Sequence, residues 1–156
     1  MKGIHHIVVH NKRVRYEFDI RRNITVIRGD SATGKTTLID MIREYIDNGD
    51  ANSVELMCDK KCYVVDGTTW KGQLSVINDG IVFVDEGNMF VSSDDFSRTI
   101  RDTDNYYVLV SRESLSNLPY SVDEVYGIHT SGRYGRLKQT YNEFHRIYSN
   151  EFGVEK

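Results

Sequence analysis

From residue 13 to residue 20 the chain alternates strictly. Val14, Tyr16, Phe18 and Ile20 are apolar, while Arg13, Arg15, Glu17 and Asp19 are charged. A period of two sorts these side chains onto opposite faces of a half-buried β-strand. The apolar stretch at 4–9 supplies a partner strand, with His10-Asn11-Lys12 turning the chain between them. Arg22-Asn23 turns it again into Ile24-Thr25-Val26-Ile27-Arg28, so the chain is expected to open with antiparallel strands.

Beyond Gly34 the period changes. Leu38, Met41, Ile42, Tyr45 and Ile46 fall at i, i+3, i+4, i+7 and i+8, the apolar face of a helix that Asn48-Gly49 can end. Strand and helix then alternate. Residues 54–57 or 63–65 read as strand, and 69–77 as a helix with Trp70, Leu74 and Ile77 on one face. Residues 81–84 form a wholly apolar strand. Ser92 or Ser93 caps a brief helix through Ile100, with Asp94 and Asp95 in its first turn, and 106–110 is again strand. This grammar predicts an α/β fold with a mainly parallel sheet, helices on both faces and an N-terminal antiparallel hairpin. In the last forty or so residues Leu137, Tyr141, Phe144 and Tyr148 suit a helix, whereas Leu137, Gln139 and Tyr141 suit a strand, and both readings stand.

A length of 156 residues, 39% hydrophobic content and the lack of any linker or repeat lead us to expect one domain spanning 1–156, with 113–156 its least readable part. The net charge of -3, from 20 basic and 23 acidic residues mixed along the chain, gives no global nucleic-acid footprint. No long apolar run marks a signal peptide or membrane span, so a cytoplasmic protein without membrane attachment is expected. Cys58 and Cys62 lie too close in sequence to staple distant parts of the fold, which suits a reducing compartment. They would make at most half of a metal site. The five histidines show no ligand spacing and read as structural or surface residues.

Two segments carry chemistry. Gly29-Asp30-Ser31-Ala32-Thr33-Gly34-Lys35-Thr36, followed by Thr37, matches G-x-x-x-x-G-K-[ST] at every defined position between an apolar strand and an amphipathic helix. Glycines let the backbone wrap a polyphosphate, and consecutive N–H groups with the helix N-terminus supply positive potential. Lys35 neutralises β and γ oxygens, and the Thr36 hydroxyl reaches Mg²⁺. Asp30 occupies a variable position and contributes backbone only. The second segment is Ile81-Val82-Phe83-Val84-Asp85-Glu86, an apolar strand ending in two carboxylates at the edge where open α/β sheets bind ligands. There Asp85 can join the Mg²⁺ shell, and Glu86 can take a proton from a water aimed at the γ-phosphate.

Together, residues 29–37 and Val82-Phe83-Val84-Asp85-Glu86 resemble the Walker A and Walker B motifs of P-loop NTPases. The Asp-Glu pair resembles the division with an added strand and a catalytic glutamate, which includes AAA-type and ABC-type ATPases. The unit at 54–77 fits the added strand and helix. The resemblance covers roughly residues 1–112 and implies a three-layer P-loop NTPase fold that binds a nucleoside triphosphate, with ATP and Mg²⁺ as cofactors. A Leu-Ser-Gly-Gly-Gln signature and a guanine-reading Asn-Lys-x-Asp are both missing from the chain. These departures argue against an ABC transporter cassette and leave GTP specificity unsupported. The stretch at 85–90 also faintly resembles one in thymidine kinases, whose zinc-binding cysteines are absent here.

Ser111, at the end of the strand 106–110, occupies the usual place of a polar γ-phosphate sensor in this division, and Arg112, which follows it, could reach a phosphate or a partner's site as an arginine finger or lid. Both equally suit an ordinary strand-terminal turn. Arg133 and Arg136, in Ser131-Gly132-Arg133-Tyr134-Gly135-Arg136-Leu137-Lys138, suit an arginine finger, a lid, a nucleic-acid contact or simply an exposed hairpin. Three functions follow as expectations. The first is an ATPase in which Lys35, Glu86 and Ser111 serve catalysis and Thr36 and Asp85 hold the metal. The second is a small kinase using the same cradle, and the third is a nucleotide-dependent switch acting on a homo-oligomer or a larger partner protein.

Overall fold

The computed structural model describes residues 3–28, 35–48, 54–111, 115–120, 124–131 and 140–146. Its strands are β1 (His5–His10), β2 (Val14–Ile20), β3 (Ile24–Arg28), β4 (Glu55–Met57), β5 (Cys62–Val64), β6 (Ile81–Val84), β7 (Tyr106–Ser111), β8 (Val125–Ser131) and β9 (Thr140–Arg146). The helices are α1 (Lys35–Asn48), α2 (Trp70–Leu74) and α3 (Asp94–Arg101), with a 3-10 turn at Met89–Ser92 before α3. All nine strands join one ladder in the order β4-β1-β2-β9-β8-β3-β7-β6-β5.

Five strands at one end, β8-β3-β7-β6-β5, run parallel. Their interior members are apolar on both faces because both faces are covered. Ile81 and Phe83 of β6, Tyr106 and Val108 of β7 and Ile27 of β3 pack with Leu38, Ile39, Met41 and Ile42 of α1. Val82 and Val84, Tyr107 and Leu109, and Val26 point the other way, into a core with Trp70 and Leu74 of α2 and Phe96 and Ile100 of α3. Aromatic contacts lock that second core. Trp70 stacks on Phe90 at 5.0 Å between ring centroids, and Phe96 meets Trp70 and Tyr107 edge-on. The Ser93 hydroxyl caps α3 by accepting the Phe96 N–H at 3.1 Å.

The antiparallel end does not continue as a flat sheet. Strands β4 and β5 stand at opposite ends of the ladder, about 38 Å apart for eight flat spacings, yet residues 58–61 join them and span at most about 18 Å. The ladder therefore rolls back on itself. Ile7, Val9, Tyr16, Phe18 and Ile20 lie against the α1 face of the parallel strands, and the Phe18 and Phe83 rings are 6.5 Å apart. His5 closes the seam: Nδ1 donates to both Asp59 oxygens at 2.9 and 3.0 Å, and the Tyr106 hydroxyl donates to Nε2 at 2.8 Å.

Several expectations need correction. Strand β3 does not pair with β2. It lies between β7 and β8, parallel to both, because its apolar residues need cover on both faces. Residues 54–57 and 63–65 were alternatives in the sequence pattern, but both regions form strands, and they go to opposite ends of the ladder. The strand inserted between β3 and β6 is β7 rather than anything in 54–77. Helix α2 ends at Leu74, although Ile77 is still buried. Ile46 of α1 is 43% exposed, so the buried stripe stops at Tyr45. In the C-terminal region the strand reading prevails, with β9 antiparallel to β8 and parallel to β2. Among the described residues no helix is long and apolar enough to cross a membrane.

Asn105 is 1% exposed and serves two backbone groups. Its Oδ1 accepts the Gly80 N–H at 2.9 Å, and its Nδ2 donates to the Ile77 carbonyl at 3.1 Å. Asn105→Ala should cost about 2 kcal/mol in chemical denaturation, because both partners stay buried without a replacement. On the outer face of β1 and β2, exposed His6 bridges Asp19 at 2.5 Å and Glu17 at 2.7 Å, and Arg15 lies beside Glu17 at 3.4 Å. The bond to Asp19, then that to Glu17, raises the His6 pKa above its usual 6.5. A raised folded value means that the stabilisation is complete below the unfolded pKa and fades as pH climbs through the folded one. The melting-temperature advantage of the parent over His6→Gln should thus be larger at pH 6 than at pH 8. An advantage that grows with pH would contradict this assignment.

Candidate functional site

The parallel strands bring the chemical residues to one edge. Arg28, the last residue of β3, is level with Ser111, the last of β7, and Val84 is level with Leu109. Asp85 therefore follows β6 at the level of Val110, one step short of Ser111. Helix α1 begins at Lys35 and covers the face of the sheet next to this edge. Residues 29–34, the side chains of Lys35 and Thr36, Arg112, and Arg133 with Arg136 lie outside what the structure describes. Of the phosphate-loop residues, Thr37 alone has a described side chain, and it is exposed.

The acid pair is built by a tight turn. Glu86 N–H donates to Asp85 Oδ1 at 2.8 Å, and Gly87 takes φ 94°, a conformation that glycine adopts without strain. Asn88 then ties two strand ends together: its Nδ2 donates to the Asp85 carbonyl at 3.0 Å, and its Oδ1 accepts the Gly67 N–H at 3.1 Å. Beside Gly67, Asp66 accepts from Arg43 of α1 at 3.0 Å, which latches the helix to the carboxyl end of β5. Sequence reasoning missed Asn88, Asp66 and Arg43. Asn88 alone had a local signal, an Asx residue directly after a glycine that follows a strand.

Two like charges, those of Glu86 and Asp40, act on Asp85. Asp85 is only partly buried, yet its carboxyl is raised above the usual carboxylate range. Desolvation is the main cause, and the charges of Glu86 and Asp40 add to it; the Glu86 N–H and Arg43 oppose it. Arg43 already carries the Asp66 ion pair. An oxygen donor held among like charges is a setting that a hard divalent cation would relieve. That Asp40 and Arg43 act on Asp85 also places the early turns of α1 close to the acids.

Asp85, Glu86 and Ser111 line one cavity of about 470 Å³, with Asn88, Met89 and Leu115 among its other walls. Ser111 is 9% exposed at the end of a strand whose other residues are all buried. The far wall is pinned by Asn117, whose Nδ2 donates to the Val91 and Ser93 carbonyls at 3.0 and 3.1 Å, while Leu115 and Leu118 enter the second core. The sequence-predicted trio of Asp85, Glu86 and Ser111 thus shares one recess.

No protein-family model matches this chain, and no curated protein matches its sequence.

Proposed function

We propose that this chain is a Mg²⁺-dependent P-loop ATPase. The observation that carries the proposal is the register. The Gly29–Thr36 sequence follows directly on β3, whose last residue is level with Ser111 of neighbouring β7. Ser111 shares a cavity with Asp85 and Glu86, which follow β6 one strand farther on. An inserted strand, β7, between the strand that enters the loop and the strand that ends in the acids supports the additional-strand division, with a three-layer P-loop arrangement.

In this reading the loop backbone and Lys35 hold the phosphates, and Thr36 and Asp85 supply oxygens to Mg²⁺, whose charge offsets that gathered on the γ-phosphate. The donor chemistry fits the metal, because a carboxylate from Asp85 and a hydroxyl from Thr36 are the hard oxygen ligands that Mg²⁺ takes. Glu86 positions and deprotonates a water, and the Ser111 hydroxyl meets the γ-phosphate from β7. A second reading, transfer to an acceptor hydroxyl, draws on the cavity itself. About 470 Å³ is within the range of small-molecule sites, and Asn88, Met89 and Leu115 give it mixed polar and apolar walls.

Glu86→Gln should keep Mg-nucleotide binding and slow phosphate release by roughly a hundredfold, since the proton acceptor is lost and positioning survives. A parent without turnover in the presence or absence of acceptors would support the switch instead. Asp85→Asn should abolish the Mg²⁺ dependence of binding, while the metal-free variant melts at or above the parent temperature because a crowded charge is gone. Isothermal titration and thermal melts read these two effects separately, and a clear fall in melting temperature would contradict the electrostatic account.

A further inference from the structure

The ladder between β5 and β6 ends in a rung that is not made by backbone alone. In a parallel pair the backbone bonds repeat every two residues. The Ile81 N–H donates to the Lys61 carbonyl at 2.9 Å and the Val65 N–H to the Phe83 carbonyl at 3.1 Å, so the Gly67 N–H is next in line for the Asp85 carbonyl. Instead the Asn88 carboxamide stands between them. Its Oδ1 accepts the Gly67 N–H at 3.1 Å, and its Nδ2 donates to the Asp85 carbonyl at 3.0 Å. Gly87, at φ 94°, makes the turn that brings Asn88 back to the end of β6. The two strand ends are thus held one carboxamide apart where Asp85 and Glu86 begin.

We propose that Asn88 is a positioning residue: by occupying this rung it keeps β5 from drawing the Asp85 peptide toward itself, and so holds Asp85 and Glu86 at the recess they share with Ser111. This role rests on the ATPase reading of that recess. Strand β6 lies between β5 and β7, so a carbonyl pulled into a direct bond with Gly67 moves away from Ser111. Glu86 moves with it, because one peptide group carries both the Asp85 carbonyl and the Glu86 N–H. Asn88 fixes the oxygen of that group, and the Asp85 carboxylate accepts its N–H at 2.8 Å.

The β5 side of the rung is itself anchored. Asp66, next to Gly67, accepts from Arg43 of α1 at 3.0 Å, and its carbonyl accepts from Gln73 Nε2 at 2.8 Å. The acid turn is therefore held at a fixed offset from α1, the helix that follows the phosphate-loop sequence. A shift of about 1 Å in a reacting group can cost roughly a hundredfold in rate. A purely structural tie would behave differently on removal. Its loss would lower stability, whereas here the Gly67 N–H and the Asp85 carbonyl can satisfy each other directly once the carboxamide is gone, at the expense of where Glu86 stands.

The test measures ATP turnover, Mg-ATP affinity and melting temperature for the full chain, for Asn88→Ala, Asn88→Asp and Glu86→Gln, and for Asn88→Ala combined with Glu86→Gln. Asn88→Ala should lower kcat by about tenfold or more while Mg-ATP affinity stays within about threefold of the parent. Its melting temperature should stay within about 4 °C, because the strand ends close the rung themselves. Asn88→Asp keeps an acceptor for Gly67 but has no donor for the Asp85 carbonyl, and its kcat should fall at least as far. In the Glu86→Gln background Asn88→Ala should cost less than about threefold further, since a proton acceptor already removed cannot be misplaced. If the parent turns over ATP, the positioning role alone is overturned by an unchanged kcat in Asn88→Ala, by losses that multiply in the combined variant, or by affinity and melting temperature falling together with kcat. A parent without turnover would overturn the ATPase reading, and this role with it.

Discussion

Burial of the parallel strands on both faces is the constraint from which the arrangement of the molecule follows. A strand covered on both sides can carry a polar side chain cheaply only where it emerges, because an unpaired buried polar group costs about 1–3 kcal/mol. Strands β6 and β7 obey this: Ile81 to Val84 and Tyr106 to Val110 are buried, and polar chemistry begins at Asp85 and Ser111. Since β3, β7 and β6 run in the same direction and in matched register, their emerging ends form one line. The apolar core thus concentrates charge at the sheet edge, and the cavity lies there.

The rolled-back antiparallel strands complete the cover. Without Ile7, Val9, Tyr16 and Phe18 the α1 face of β6 and β7 would be only partly shielded, because one helix cannot span the parallel strands. The fold closes this arrangement at its far end through His5, Asp59 and Tyr106, away from the acids. Packing and chemistry are consequently separated along the strand direction: the seam lies at the amino end of the parallel strands and the carboxylates at the other.

Much of this was legible in the sequence because it rests on local signals. Alternation at 13–20, the helical stripe from Leu38 to Tyr45, the Ser93 cap and the apolar run before Asp85 each have a period or a chemical reason of their own. The placement of β3 escaped, because the turn at Arg22-Asn23 read as a hairpin to β2 whereas the strand crosses to lie parallel between β7 and β8. What escaped was set by distant contacts. Tyr141 and Phe144 are spaced as on a helix, yet β9 is a strand because β8 and β2 offer it partners on both sides. The roll of the ladder and the Asn88 and Arg43 ties likewise join segments more than twenty residues apart, for which no local pattern exists.

Calorimetric titration of the purified chain with ATP, with and without Mg²⁺, and of Lys35→Ala alongside it, tests the central claim most directly. The account predicts one nucleotide per chain, tighter binding with Mg²⁺ than without, and a loss of affinity of at least about tenfold in Lys35→Ala, since a charge-assisted phosphate contact is removed from a solvent-reached loop. Circular dichroism of that variant should match the parent. A parent that binds no nucleotide, or a folded Lys35→Ala that binds Mg-ATP as tightly as the parent, would contradict the account.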